Sequence, residues 1–165
     1  MTTARNGFAG SGTSTSALGY MQDDPARSGK TESWDGTSWT ELADLNTDRR
    51  LGTGFGADNT SALAFGGENA PTDNLAVTES WNGTSWSEVA DLNTARLNMA
   101  GTGIVTAGLA VGGRILNPNS NSALVEQWNG SAWTEVGDVN TARYSAFGSK
   151  FNYSDSFVSG GSDGT

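Results

Sequence analysis

The chain has no cysteine and no histidine among its 165 residues. Without cysteine there are no disulfides and no thiolate metal ligands, so the redox compartment leaves no trace in the sequence. Without histidine the commonest general base, triad member and transition-metal ligand are missing. Tyrosine, lysine and carboxylates can still move protons. The expectation is nevertheless a protein that is not an enzyme and carries no cofactor and no metal. Basic residues are scarce, 9 against 18 acidic ones, for a formal charge of −9. Such a surface repels phosphate backbones and anionic headgroups, so neither nucleic acid nor membrane is an expected partner. No apolar run is long enough to span a bilayer, and no signal-peptide pattern follows Met1. A leader removed from this sequence, or lying outside it, stays compatible with that.

What is present is a repeat. T-E-S-W-D-G-T-S-W-T-E-L-A-D-L-N-T at 31–47 returns as T-E-S-W-N-G-T-S-W-S-E-V-A-D-L-N-T at 78–94 and as V-E-Q-W-N-G-S-A-W-T-E-V-G-D-V-N-T at 125–141. The first tryptophans, Trp34, Trp81 and Trp128, stand 47 apart (81 − 34 and 128 − 81). A period near fifty residues, rich in glycine, tryptophan and short β-type runs, predicts a repeat architecture of four-stranded units. The 23 glycines could suggest disorder, but the regular repeat and six tryptophans argue for packed β structure.

Each copy reads as four short strands. The first is glycine-rich: Phe8 to Gly12, Gly52 to Gly56, Met99 to Gly103. Recurrent glycine in a strand marks close backbone approach. The second, Ser61-Ala62-Leu63-Ala64-Phe65-Gly66-Gly67, is echoed by Ala107 to Gly113. Leu63 and Phe65 take one face, Ala62 and Ala64 the other, as suits a sheet sandwiched large side against small side. Strands three and four form a hairpin around Trp-[Asp/Asn]-Gly-[Thr/Ser]-[Ser/Ala]-Trp, a strong turn signal. A two-residue turn sets Trp34 opposite Thr37, and a four-residue loop sets Trp34 opposite Trp39. Both registers put the indoles on one face. Trp34, Trp39, Trp81, Trp86, Trp128 and Trp133 are therefore read as pins between sheets, with carbohydrate stacking as the sharper alternative.

The glycine pairs Gly66-Gly67 and Gly112-Gly113, a following aromatic (Trp81, Trp128), a second tryptophan five residues on and an arginine opening the next unit resemble kelch repeats. WD repeats fit less well, since their Gly-His element needs a histidine. The kelch resemblance covers essentially the whole chain. It implies an all-β fold of kelch-type β-propeller blades, each a four-stranded antiparallel sheet, about three and a half in this chain. The blades fall near 3–46, 47–93 and 94–140, with a half-blade at 141–165. The first copy departs from the pattern, with Met21-Gln22 where the glycine pair belongs. The last copy stops soon after Gly160-Gly161. Some kelch-type propellers resemble galactose oxidase, which holds copper with histidine and a cysteine-modified tyrosine, and this chain has neither residue. The near-identity of the copies also resembles kelch arrays in phage and environmental-virus structural proteins. That implies a non-catalytic binding or structural module in a virion or extracellular assembly. A lectin-like glycan-binding domain is the alternative, and a kelch-type enzyme fragment a more distant one.

Arg5, Arg50, Arg96 and Arg143 each open a first strand. They either ring a channel and hold an anion, or pair with glutamates such as Glu41, Glu88 and Glu135. Asp44-x-Asn46, Asp91-x-Asn93 and Asp138-x-Asn140 offer paired oxygens, as calcium would favour, but also suit turn capping. Asn59, Asn82, Asn129 and Asn152 match a glycan-acceptor pattern, and the turn at Asn82 and Asn129 explains it without glycans. The segments joining strands two and three (22–30, 68–77, 114–124) vary between copies, and each holds one proline (Pro25, Pro71, Pro118). Variation on one edge of a repeat is where partner-binding loops lie. The candidates there are Asp23, Asp24, Arg27, Lys30, Glu68, Asp73, Arg114 and Asn119. The expected partner is protein, through self-association or further blades, with a surface glycan as the other option.

Three units of four strands plus a final pair make fourteen strands, and closed propellers hold about four to eight blades. Two copies would supply strands enough for seven blades, but both leftover pairs would be first-and-second strands. The expectation is a longer native chain or a homo-oligomer that covers both ends.

Overall fold

The third-to-fourth strand turns show how local chemistry sets the sheets. In the computed structural model, which describes residues 6–22, 27–70, 73–149 and 157–164, Gly36, Gly83 and Gly130 sit at φ 94°, 93° and 97°. Only glycine takes that conformation cheaply. Asp35 Oδ1 accepts from the N–H groups of Thr37 and Ser38 at 2.8 Å each. Asn82 and Asn129 do the same for the two residues after their glycines. The four-residue loop is the register adopted, with Trp34 opposite Trp39, Trp81 opposite Trp86 and Trp128 opposite Trp133. Each side-chain cap satisfies two backbone donors that a two-residue turn would not present.

Three four-stranded antiparallel sheets follow one another. Sheet I is β1 (Ala9–Gly12), β2 (Ala17–Gln22), β3 (Ser28–Trp34) and β4 (Trp39–Glu41). Sheet II is β5 (Thr53–Asp58), β6 (Ser61–Phe65), β9 (Thr78–Trp81) and β10 (Trp86–Glu88), with a small hairpin, β7 (Glu68–Ala70) and β8 (Asp73–Asn74), between β6 and β9. Sheet III is β11 (Ala100–Ile104), β12 (Ala107–Val111), β15 (Val125–Trp128) and β16 (Trp133–Val136), with the hairpin β13 (Arg114–Ile115) and β14 (Ser120–Asn121) in the same place. Sheet IV has two strands, β17 (Tyr144–Gly148) and β18 (Val158–Ser162). The described strands thus number eighteen rather than fourteen, because two of the segments read as loops carry hairpins of their own. Those hairpins form because the linker entering each sheet pairs with them: Arg50 and Glu68, like Leu97 and Arg114, exchange backbone hydrogen bonds. No described residue is helical.

The glycine-rich first strands β1, β5, β11 and β17 lie side by side in that order. A backbone chain links them: Asn98 N–H donates to Leu51 O at 2.7 Å, and Ser145 N–H to Asn98 O at 2.8 Å. Leu51, Asn98 and Ser145 all take positive φ, 56°, 53° and 55°, to aim those amides across the junction. Glycine permits the approach. A methyl group on Gly54 would collide with Tyr20 and Leu63, and one on Gly148 with the Gly101 carbonyl.

The core lies between sheets. Leu18, Tyr20, Met21, Leu45, Ala62, Ala64, Trp81 and Trp86 fill the I–II junction. Phe55, Leu63, Phe65, Leu92, Met99, Ala110, Trp128 and Trp133 fill the II–III junction. The large face of β6 thus meets the small face of β12, as its alternation predicts. Trp81, Trp86, Trp128 and Trp133 are 2–6% exposed. At about 25 cal/mol/Å² over roughly 150–250 Å², each contributes roughly 4–6 kcal/mol of gross transfer free energy. Trp34 and Trp39 depart from the pin role. They are half-buried, because no described sheet lies on that side of sheet I.

Candidate functional site

The most strongly patterned polar residues converge on the linker entering each sheet. Asn46-Thr47-Asp48-Arg49 crosses from β4 to sheet II and closes around the Glu79 carboxylate of β9. Arg49 Nη1 donates to Glu79 Oε1 at 2.5 Å, and Asn46 gives its backbone N–H at 2.7 Å and its Nδ2 at 2.9 Å to Oε2. Asn46 Nδ2 also reaches the Trp86 carbonyl, 3.1 Å away. Asn93-Thr94-Ala95-Arg96 repeats this on Glu126 of β15, with Arg96 Nη2 at 2.8 Å and Asn93 N at 2.6 Å. Arg96 Nη1 further donates to Gly112 O at 2.6 Å and Leu124 O at 2.8 Å. Arg49, Glu79 and Arg96 have no side-chain exposure and Glu126 has 1%. Burial pulls the Arg96 pKa down from its ordinary value, and the neighbouring Glu126 charge opposes that. Both arginines keep one cost, a buried Nε without a partner.

This corrects the arginine assignment. The residue equivalent to Arg96 and Arg143 is Arg49, 47 positions before Arg96 (96 − 49 = 47), not Arg50. The acceptors are Glu79 and Glu126, on the third strands, not Glu41, Glu88 and Glu135. Glu88 and Glu135 stand exposed on the fourth strands, and Glu41 meets Lys30 at 3.6 Å in a surface pair. Arg49 and Arg96 are sealed inside their sheets, so they cannot ring a channel. Arg5 lies outside the described residues.

Two of the three aspartate-x-asparagine pairs are spent on the same scaffold, while Asp138 and Asn140 stand exposed. Asp44 Oδ1 accepts from Thr31 N at 3.3 Å and Asp91 Oδ1 from Thr78 N at 3.0 Å, while Asn46 and Asn93 face the glutamates. Among the described residues no group of three or more acidic side chains could hold a metal ion. Asn59 Nδ2 donates to Ser33 Oγ at 2.9 Å and thereby ties sheet II to sheet I. Asn152 lies outside the described residues.

On the variable edge the structure gathers two groups. Glu68, its side chain 5% exposed, holds Arg27 at 3.2 Å and Arg50 at 2.6 Å. Its carboxylate is therefore a cross-sheet tie rather than a free ligand. Arg114 Nε donates to Asn119 Oδ1 at 2.8 Å, and its guanidinium lies 5.7 Å from the centre of the Tyr144 ring. Asn74 Nδ2 donates to Arg114 O and its Oδ1 accepts from Leu116 N, both at 2.8 Å, sewing the two hairpins together. Asp73 is exposed on β8, and Lys30 is engaged with Glu41, apart from both groups. Asp23, Asp24, Pro25 and Pro71 lie outside the described residues.

Sequence reasoning missed one concavity. A cavity of about 190 Å³ opens among the first strands, beside Gly10, Gly54, Gly101 and Phe147, and no ionisable side chain lines it. Recurrent glycine in the first strands was its signal. It also missed the glutamate of Thr-Glu-Ser-Trp as the centre of the clasp, although that residue recurs at 32, 79 and 126 in step with the arginines. The described residues thus combine buried, paired charges with a neutral groove lined by glycines, Thr53 and Phe147. No family model matches the chain, and no curated protein matches it.

Proposed function

We propose that the four sheets are kelch-type propeller blades, three complete and one half, and that the chain is a non-catalytic structural and binding module. One observation carries the reading. The same junction is built twice with the same parts, and it consumes the residues that recur most faithfully. At each junction an indole N–H crosses to a threonine of the preceding sheet: Trp86 to Thr31 Oγ1 at 2.9 Å, Trp133 to Thr78 Oγ1 at 3.1 Å. A chain whose repeated polar residues are spent on stacking sheets is suited to build an arc and to present its variable edge. The first strands β1, β5, β11 and β17 lie side by side, which supports the reading that they line a propeller axis. The acidic, cysteine-free composition and near-identical copies support a place in an extracellular or virion-surface assembly.

Glycan binding is the second reading, and one feature favours it: Trp34 and Trp39 are half-buried on the outer face of sheet I, their ring centres 5.5 Å apart and tilted by 39°. A glycan array on the intact chain, alongside Trp39→Ala and exchange of the 68–77 and 114–124 segments, separates the two. Absence of sugar binding together with ordered self-assembly upholds the structural module. Sugar binding lost on either change replaces it with the lectin.

A further inference from the structure

The hairpin turns of the three four-stranded sheets share a geometry but not a residue. Sheet I carries Asp35-Gly36, and sheets II and III carry Asn82-Gly83 and Asn129-Gly130. Both asparagines and their glycines are exposed. Asn82 Oδ1 accepts from Thr84 N at 2.9 Å and Ser85 N at 3.0 Å, and Asn129 Oδ1 from Ser131 N and Ala132 N at 2.9 Å each. Among the described residues nothing accepts from either Nδ2, nor from the Gly83 or Gly130 N–H. The asparagines of the junctions differ: Nδ2 of Asn46 and Asn93 is tied to Glu79 and Glu126, and that of Asn59 to Ser33 Oγ. Each Asn-Gly turn thus holds the parts of a deamidation. The glycine nitrogen is the nucleophile, the asparagine Cγ the electrophile and Nδ2 the leaving group. Two N–H donors already point at Oδ1, where negative charge develops on attack, and glycine brings no side chain to obstruct the ring that forms.

Asp35 gives an independent sign. Aspartate is the product of deamidation, and sheet I holds it in the same turn without rearrangement. Asp35 Oδ1 accepts from Thr37 N and Ser38 N at 2.8 Å each, Gly36 holds φ 94° beside 93° and 97° at Gly83 and Gly130, and Trp34 still faces Trp39. The anion is also the stronger acceptor for those N–H groups.

We propose that Asn82 and Asn129 are self-modifying sites that convert to aspartate in the folded protein. Gly83 N attacks Asn82 Cγ, the N–Cγ bond forms as the Cγ–Nδ2 bond breaks, and ammonia leaves with the proton of the glycine amide. Water then opens the cyclic imide at Cγ, returning a proton to the peptide nitrogen and leaving a carboxyl group that ionises. Opening at the backbone carbonyl instead gives isoaspartate, which lengthens the main chain of a loop whose four-residue span sets Trp81 opposite Trp86. Asn129 and Gly130 react in the same way. Sheets II and III then carry the cap of sheet I, and the formal charge passes from −9 to −11 (−9 − 2).

The test ages the full 165-residue chain in mildly alkaline buffer, folded and in urea, with peptide mapping by mass spectrometry at intervals. Conversion at Asn82 and Asn129 in the folded chain should run within about tenfold of its rate in urea, with a larger share of aspartate over isoaspartate. Asn46 and Asn93 should convert at least about tenfold more slowly folded than in urea, since Nδ2 must first leave a buried carboxylate. Comparing each bond with itself removes the effect of the residue that follows. In the aged chain the Thr84 and Ser85 amide resonances should titrate at low pH as those of Thr37 and Ser38 do. Asn82→Asp, made directly, should unfold at the same urea concentration or a higher one. Conversion at Asn82 and Asn129 confined to the urea-unfolded chain overturns the proposal. So does a folded product richer in isoaspartate than the unfolded one, or an Asn82→Asp chain that unfolds earlier.

Discussion

Replacing Glu79 by glutamine should be among the most damaging single changes in the chain. The carboxylate is fully buried and accepts four donors: Arg49 Nη1 at 2.5 Å, Asn46 N at 2.7 Å, Asn46 Nδ2 at 2.9 Å and Thr47 N at 3.4 Å. Two of them point at each oxygen. Glutamine keeps one oxygen and turns an NH2 towards the other two donors, leaving them unsatisfied at about 1–3 kcal/mol each. It also strips the counter-charge from a buried guanidinium, and breaking a buried pair in this way costs about 3–5 kcal/mol. The two costs overlap, so the expected loss is about 3–5 kcal/mol. With m near 1–3 kcal/mol/M in urea, the midpoint should fall by roughly 1–5 M, read by tryptophan fluorescence. Lys30→Ala is the internal control. Its ion pair with Glu41 spans 3.6 Å with side chains 39% and 56% exposed, and its removal should cost no more than about 1 kcal/mol. Glu126→Gln should behave like Glu79→Gln. If Glu79→Gln moves the midpoint no further than Lys30→Ala does, the clasp is not what holds the linker to its sheet.

Three further outcomes follow from the places where the copies differ. Met21 occupies the position of Gly66 and Gly112, with φ 66° and no exposure. Met21→Gly restores the repeat pattern, yet should destabilise by about 1–3 kcal/mol, since the lost buried side chain (about 2–5) outweighs the relieved left-handed strain (about 1–2) in thermal or urea unfolding. A stabilised Met21→Gly would refute that balance. Leu51, at φ 56° and only half-buried, is Asn98 in the next copy. Leu51→Asn should be neutral or stabilising by up to about 1 kcal/mol in the same assay, and a clear loss would show that its side-chain contacts dominate. Asp35 caps its turn by accepting the Ser38 and Thr37 N–H groups, which hold its pKa below the ordinary 3.8. A depressed carboxylate contributes above its unfolded pKa and is lost as pH falls through its folded value. The Thr37 and Ser38 amide resonances should therefore move as pH falls below 3.8, and those of Thr84 and Ser85, capped by Asn82, should not. Asp35→Asn should abolish the titration, and its persistence would point to another group.

How much could be read in advance differs between the elements. The Asx-Gly turns, the glycine-rich first strands and the large-small alternation of β6 are local patterns, and each appears where its residues imply. The clasp was half legible. Its arginine and glutamate recur in step, and the 47-residue period singles out Arg49 over Arg50, but the period alone does not say that the two side chains meet and are buried. The hairpins β7–β8 and β13–β14 gave no signal of their own, because they depend on pairing with linkers from elsewhere in the chain.

The repeat by itself determined the strand succession, the hairpin chemistry and the all-β character, since these follow from spacing, turn residues and side-chain alternation within a few positions. Only the tertiary structure decided which charges vanish into the sheets and which tryptophans are covered. Arg49 is buried and Arg50 is drawn to Glu68 because successive residues of an extended linker face opposite ways. Trp86 is sealed by Tyr20 and Thr31 of the preceding sheet, while Trp39, with the same neighbours in sequence, is half-buried where no described sheet precedes it. Burial belongs to pairs of sheets, and a sequence read one repeat at a time contains only one of them.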